Sequence, residues 1–305
     1  MRVIKPTPIT DSNLLSSSIV ENDYATWSGA TTYGLAARVL RPNHKMYESL
    51  VASNLNNIPE NTTITSLPST PKWLDLGYSN RWRMFDSLVS SSSTATTSMS
   101  VTVATSNINA ISLFGLVGTL ATVTLTNLTT GMVDYTSTNS LQGAIVSDWY
   151  SYFFADPIQI DQLVLSNLPS VYNGSLTITI TNTTGQPVGC GQFVVGKAVY
   201  LGAIQYGATA GIIDYSKKDT DVYGNVSFIQ RAFSKRLTSK LLVDNISINS
   251  LQQTLASYRA TPCVWIGTDD PTYGSLVVYG FYKDFSIEVT YVSNSYCSLE
   301  IEGLI

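Results

Sequence analysis

Leu176-Thr177-Ile178-Thr179-Ile180-Thr181-Asn182 alternates apolar and hydroxyl side chains without a break. A period of two places Leu176, Ile178 and Ile180 on one side of an extended chain and the threonines on the other, the pattern of a strand with one face buried. The same period recurs nearby. Met99, Val101 and Val103 share a side, as do Ala121, Val123 and Leu125, and Asp161-Gln162-Leu163-Val164-Leu165 adds a further strand. Thr130-Gly131, Asn173-Gly174 and Thr184-Gly185 punctuate these runs as turns. Short alternating strands with such punctuation predict an antiparallel sandwich or jelly roll. Ile108 to Leu128 is the most apolar stretch, but Asn109, Ser112, Gly115 and Gly118 within it suit two strands around a Gly turn better than a membrane span.

Outward from this centre the texture changes on both sides. Residues 1–85 are rich in aromatics and loops, 86–207 are Ser/Thr-rich and nearly uncharged, and 208–305 regain Lys and Arg. The expected organisation is all-β: a small aromatic β module (1–85), a jelly-roll-like β-sandwich (86–207) and a C-terminal β domain with one short helix (208–305). In the first region Arg38–Arg41 and Lys45–Leu50 flank a Pro42-Asn43 turn, and a polar connection from Ser53 to Thr70 leads to Trp73. In the third, Leu251, Leu255 and Tyr258 recur at helical spacing, with Asn249 or Ser250 as the expected cap. Strands at 262–266, 276–281, 285–291 and 297–302 follow.

Composition narrows the chemistry. The 305 residues carry 17 Lys+Arg against 21 Asp+Glu, a net charge of −4, which excludes a globally basic nucleic-acid binder. His44, in the turn Pro42-Asn43-His44-Lys45, is the single histidine, and no G-x-S-x-G elbow occurs, so His44 reads as a surface turn residue rather than a catalytic base. Cys190, Cys263 and Cys297 form neither a C-x-x-C pair nor an even set, and are expected to be reduced thiols with no metal and no cofactor. The N-terminus lacks an apolar signal region, an expectation of synthesis in a reducing cytoplasm without membrane insertion. Asp269-Asp270 is flanked by Gly and Pro and reads as a turn.

Three groups of residues point to contact. Trp27, Tyr33, Tyr47 and Trp73 either stack on a sugar ring or form the core of their own small unit. Lys217, Lys218, Arg231, Lys235 and Arg236 are either a solvated ladder face or a docking surface for an acidic partner. Glu300 and Glu302, two apart on a strand, either bind a cation or meet basic residues of a neighbouring chain, the reading favoured here.

The order Trp27, Tyr33, Val39, Tyr47, Trp73 resembles that of small chitin/cellulose-binding modules of hydrolases (W…Y-x-x-G-D-x-V…Y…W), with Ala36-Ala37 in place of Gly-Asp. That resemblance implies a sugar-binding role for the four aromatics. Met1-Arg2-Val3-Ile4-Lys5-Pro6-Thr7-Pro8-Ile9-Thr10, Asn80-Arg81-Trp82-Arg83-Met84-Phe85-Asp86 and the ending Gly280–Ser286 with Cys297–Leu304 resemble bacteriophage virion proteins of the tail tip or baseplate. The third region resembles, more loosely, the β domain of distal tail and tail-tube proteins. The resemblance implies a non-enzymatic structural protein of the virion tail, a homo-oligomeric ring formed by 208–305, other tail proteins as partners, and host surface polysaccharide as a contact. The rival expectations are a polysaccharide-binding adsorption protein and a cell-wall glycosidase acting through Asp269, Asp270 or Glu300.

Overall fold

The computed structural model describes residues 1–60, 70–143, 148–154, 156, 158–220 and 223–304. The stretch 61–69 of the expected polar connection lies outside them. The principal elements begin with β1 (Arg2–Pro6), β2 (Leu14–Ser17), β3 (Arg38–Leu40), β4 (Lys45–Ser49) and β5 (Trp73–Tyr78). Next come β6 (Ser98–Thr105), β7 (Ala110–Phe114), β8 (Leu120–Asn127), β9 (Val133–Ser140) and the helix α1 (Trp149–Phe154). They are followed by β10 (Gln162–Leu165), β11 (Gly174–Thr181), β12 (Gln192–Tyr200), β13 (Ala203–Ile204) and β14 (Thr209–Asp214). The chain ends with β15 (Lys217–Thr220), β16 (Val226–Ile229), β17 (Phe233–Asp244), α2 (Ile248–Ser257), β18 (Cys263–Ile266), β19 (Val277–Glu288) and β20 (Asn294–Gly303). The protein is all-β, built around a curled antiparallel sheet.

Five strands, in the order β9-β8-β11-β6-β2, make one sheet. Its inner face carries the alternating apolar residues, among them Val101, Val123 and Ile178, all essentially buried. Its outer face is a hydroxyl ladder: Thr102 pairs with Thr177 (2.9 Å), Ser100 with Thr179 and Thr122 with Thr138 (both 3.2 Å). Such cross-strand pairs explain why threonine rather than serine or lysine fills this face, since a branched hydroxyl residue both suits the pleat and bonds its neighbour. The inner face packs against Ile111 and Leu113 of β7 and Phe193 of β12, closing a sandwich.

β7 and β12 belong to the second, larger sheet, ordered β10-β7-β12-β1-β18-β19-β20-β17-β13, with β14 also on β17. Beyond the sandwich the same face of this sheet is covered by α2, whose Leu251 and Leu255 meet Val3, Trp265 and Leu237. The opposite face gathers Ile4, Phe114, Val194, Val264 and Tyr279 into another core. Coverage on both faces accounts for the unbroken apolar run Cys263-Val264-Trp265-Ile266, every residue of which is buried. Gly280 stands opposite Gly303 across β19 and β20, where the two backbones approach too closely for side chains.

Strand pairing runs across the texture boundaries, and the helix start differs from the expected one. Strands from all three textured regions share the large sheet: β1 lies between β12 and β18, and β2 joins the smaller sheet beside β6. The boundaries at 85/86 and 207/208 are therefore crossed by backbone hydrogen bonds. Composition follows exposure, which changes along the chain, and carries no record of which strand pairs with which. The helix starts at Ile248, directly out of a 3-10 turn (Asn245–Ser247), and its N-cap residue Ser247 makes no side-chain cap bond. Neither Asn249 nor Ser250 caps it, and Ser250 instead donates to the Ser247 carbonyl at 2.8 Å.

Candidate assembly surface

β17 is longer than its neighbour. It pairs with β20 only from Arg236 onward, while its first residues pair with β14, from Phe233↔Asp214 to Thr238↔Thr209. Past the end of β20 the two strands run on, and β15 and β16 prolong them as a two-stranded ribbon. Nine residues from Ile212 to Thr220 give the overhang a reach of about 30 Å at ~3.3 Å per residue. Every described residue of β15 and β16 is exposed. At the bend, Ser216 hydroxyl and amide contacts hold the Asp214 carboxyl below its ordinary range.

This arm is apolar where a solvated hairpin would be polar. Ile212 is 63% exposed, Tyr223 87%, Phe228 76% and Phe233 54%. Alternation alone cannot show this, because an apolar residue on an unpaired ribbon has the same period as one in a core. The legible signal would have been Val226-Ser227-Phe228-Ile229 beside a strand as charged as Lys217-Lys218-Asp219, a pairing with no room for a buried face. A second aromatic patch, α1, was equally legible: Trp149, Tyr150, Phe153 and Phe154 are exposed.

The predicted assembly residues separate into two sets. Lys217 and Lys218 stand on the arm, as does Arg231, and Lys217 pairs with Asp219 at 3.3 Å. The others are engaged within the chain. Arg236 pairs with Glu300 (2.9 Å), Lys283 lies 3.6 Å from the same carboxylate, Tyr215 donates to Glu302 (3.2 Å), and Lys235 donates to Gln162 (3.0 Å). Glu300, expected to meet a neighbouring chain's cation, meets Arg236 and Lys283 of its own sheet, and Glu302 accepts from the Tyr215 hydroxyl.

The four aromatics come together, but as a core. Tyr47 and Trp73 are each 3% exposed and pack with Val39, flanked by Trp27 and Tyr33. Tyr33 meets Trp73 edge to face with ring centroids 5.4 Å apart, and the Trp73 indole donates to the Asn57 carbonyl at 2.8 Å. The Arg41 guanidinium lies over the Trp27 ring at 4.5 Å. Tyr47 and Trp73 thus present no open face for a sugar, because three short strands (β3, β4, β5) have few side chains with which to build an interior and these two rings supply most of its bulk.

His44 is not a bare surface residue. Its Nδ1 lies 3.0 Å from Glu21 Oε1 and its Nε2 3.1 Å from Asp11 Oδ2, and its ring stacks on Trp82 with centroids 4.1 Å apart. The residue has φ +63°, which turns the β3–β4 connection back onto the N-terminal segment. Ser79 donates to Glu21 at 2.6 Å. Among the described residues no hydroxyl is hydrogen-bonded to the imidazole; its contacts with Glu21, Asp11 and Trp82 fasten the three-stranded unit to the rest of the chain. Asp269 pairs with Arg2 (3.0 Å) and accepts from Ser166 (2.7 Å), a structural engagement.

A scan against protein-family models and a search of curated proteins returned no match.

Among the described residues no helix is long and apolar enough to cross a membrane, and no group of three or more His, Cys, Asp or Glu side chains could hold a metal ion.

Proposed function

We propose that this chain is a structural component of a bacteriophage tail, at the tip or baseplate, that acts by assembling with copies of itself and docking other tail proteins. The observation that carries the assembly part is the exposed apolar arm. An isolated two-stranded ribbon is marginally stable in water, and a soluble surface seldom leaves a large contiguous apolar patch uncovered. The arm and its approach expose Tyr206, Ile212, Tyr223, Phe228 and Phe233, among others. At about 150–250 Å² per fully exposed aromatic side chain, the four aromatics at their exposures amount to roughly 500–800 Å². A standard interface takes about 800 Å² from each partner. The placement in a virion tail rests on the terminal strings and the Asn80–Asp86 string described above. The buried rings of Tyr47 and Trp73 lend the polysaccharide reading no support, and this reading assigns the chain no catalysis.

Two measurements test it. Sedimentation of the full chain is expected to give an oligomer at micromolar concentration, weakened at least tenfold by Ile212→Ser with Phe228→Ser. Mass spectrometry of mature particles is expected to find the chain. Its absence from virions, or a monomer at all concentrations, would reject the proposal.

A further inference from the structure

We infer that two copies of the chain pair edge to edge along β14, about a two-fold axis, extending the large sheet from one copy into the next. The inference rests on the assembly reading above and gives it a geometry.

The large sheet has two ends. One is β10, and its edge is bridged within the chain. Gln162 Nε2 donates to the Gly274 carbonyl at 2.6 Å, and Lys235 Nζ donates to Gln162 Oε1 at 3.0 Å, so the first residue of that edge is tied to both β17 and the loop before β19. The other end is formed by β13 and β14, which among the described residues pair only with β17.

The second edge is open and undefended. Thr209-Ala210-Gly211-Ile212-Ile213-Asp214 contains no Lys, Arg or Pro, and its one charge sits at the last position. All of it except Ile213 is exposed. Sheets that remain monomeric guard such an edge with a charge, a proline, a bulge or a covering element, because each unpaired N–H and C=O is a template for another strand. β14 has no proline or bulge, its single charge, Asp214, stands at one end, and Ile212 within it is 63% exposed.

The occupant follows from self-complementarity. A head-to-tail contact that continued the large sheet would join its two ends, and the β10 end is already bridged at Gln162; the outer edge of β9 in the smaller sheet, also unpaired among the described residues, is the rival partner that the crosslinking below distinguishes. An antiparallel strand is its own complement: rotated by a half-turn, its donors face its acceptors. The surface that fits the β14 edge is therefore the β14 edge of a second copy.

This geometry has a specific signature, because a residue near a two-fold axis lies opposite its own copy. Thr209→Cys, Ala210→Cys, Gly211→Cys and Ile212→Cys are made singly in the full chain. The native thiols Cys190, Cys263 and Cys297 are buried, so mild oxidation reports on the new one. Directly opposed residues on antiparallel strands have Cβ atoms about 4.5–5.5 Å apart, close enough for a disulfide after small adjustment. At least one of the four variants is expected to form a covalent dimer at least tenfold faster than Tyr172→Cys, whose site is exposed elsewhere. Ala210→Lys with Ile212→Lys is expected to weaken dimerisation at least tenfold with unchanged circular dichroism. An oligomer that yields no covalent dimer from any of the four overturns the edge pairing and leaves self-assembly standing. A chain that sediments as a monomer at every concentration overturns both.

Discussion

Replacing His44 by alanine tests how the small three-stranded unit is held. Three contacts are lost. The stack on Trp82, at 4.1 Å, is worth about 0.5–1.5 kcal/mol. The bond to Glu21, at 3.0 Å with both side chains at most one-fifth exposed, is a hydrogen bond to a charged group and contributes about 1.5–3 kcal/mol. The contact with Asp11 adds little, because that carboxylate is 76% exposed and screened by water. Together the loss is about 2–4.5 kcal/mol. It should fall on local opening, since β3, β4 and β5 form their own sheet. Amide hydrogen exchange is the suitable assay. Protection of the β4 amides is expected to drop by roughly 30- to 1600-fold, at a factor of ten per ~1.4 kcal/mol, while β11 amides in the sandwich change by less than about threefold. Asp11→Asn should leave both within about threefold. If His44→Ala left β4 protection unchanged, the cluster would not be what fastens the unit, and the argument from its geometry would fail.

Further outcomes follow from the cores. Gly280→Ala would drive a methyl group into the carbonyl of Glu302 and the backbone of Gly303, so the variant is expected to lose about 3 kcal/mol or more, or to fail to fold; urea denaturation measures it. Trp265→Ala removes a fully buried ring and its 3.0 Å bond to the Gly280 carbonyl, for a loss of about 3–5 kcal/mol in the same assay. Burial raises the Cys190 and Cys263 thiols to about 12 and Cys297 to about 11, each from 9.0. A thiol reagent at pH 8 should therefore label none of them in the native chain and all of them in urea. Their raised values also set a pH dependence: the stabilisation is fully present below pH 9, where the unfolded thiols are still protonated, and is lost as pH rises from about 9 toward about 12, because the unfolded chain then binds fewer protons. Denaturation midpoints measured across that window should fall.

Much of the local structure is legible in the residues. Alternation at 99–103, 121–125 and 176–180 assigns each side chain to the inner or outer face of its strand, because successive Cβ atoms point to opposite sides whatever the partner is. Leu251 and Leu255 mark the buried stripe of α2 by the same local logic with a different period. The candidate surface was half legible. Lys217, Lys218 and Arg231 stand on the arm, whereas Arg236 pairs with Glu300 because β17 lies beside β20, and Glu302 is met by the Tyr215 hydroxyl. The apolar arm could not be read from alternation, since exposure belongs to a residue's neighbours in space; its one local sign was the apolar run Val226-Ser227-Phe228-Ile229 beside the charged Lys217-Lys218-Asp219.

Strand type, facing and turn positions, then, were determined by the order of side chains alone, for these are matters of backbone geometry within a few residues. Which sheet a strand enters was not. Ala110–Phe114 and Leu120–Asn127 read as two strands around a Gly turn, and they are; yet one enters the large sheet and the other the smaller one facing it. Gly115, at φ +61° and with a Cβ there only 3.2 Å from the Gly191 backbone, turns the chain from one layer to the other. Likewise Arg2–Pro6 sits between strands nearly 200 and 260 residues away. Backbone hydrogen bonds are alike for every strand, so partners are selected by how all the apolar faces can be covered at once, and only the assembled tertiary structure makes that choice.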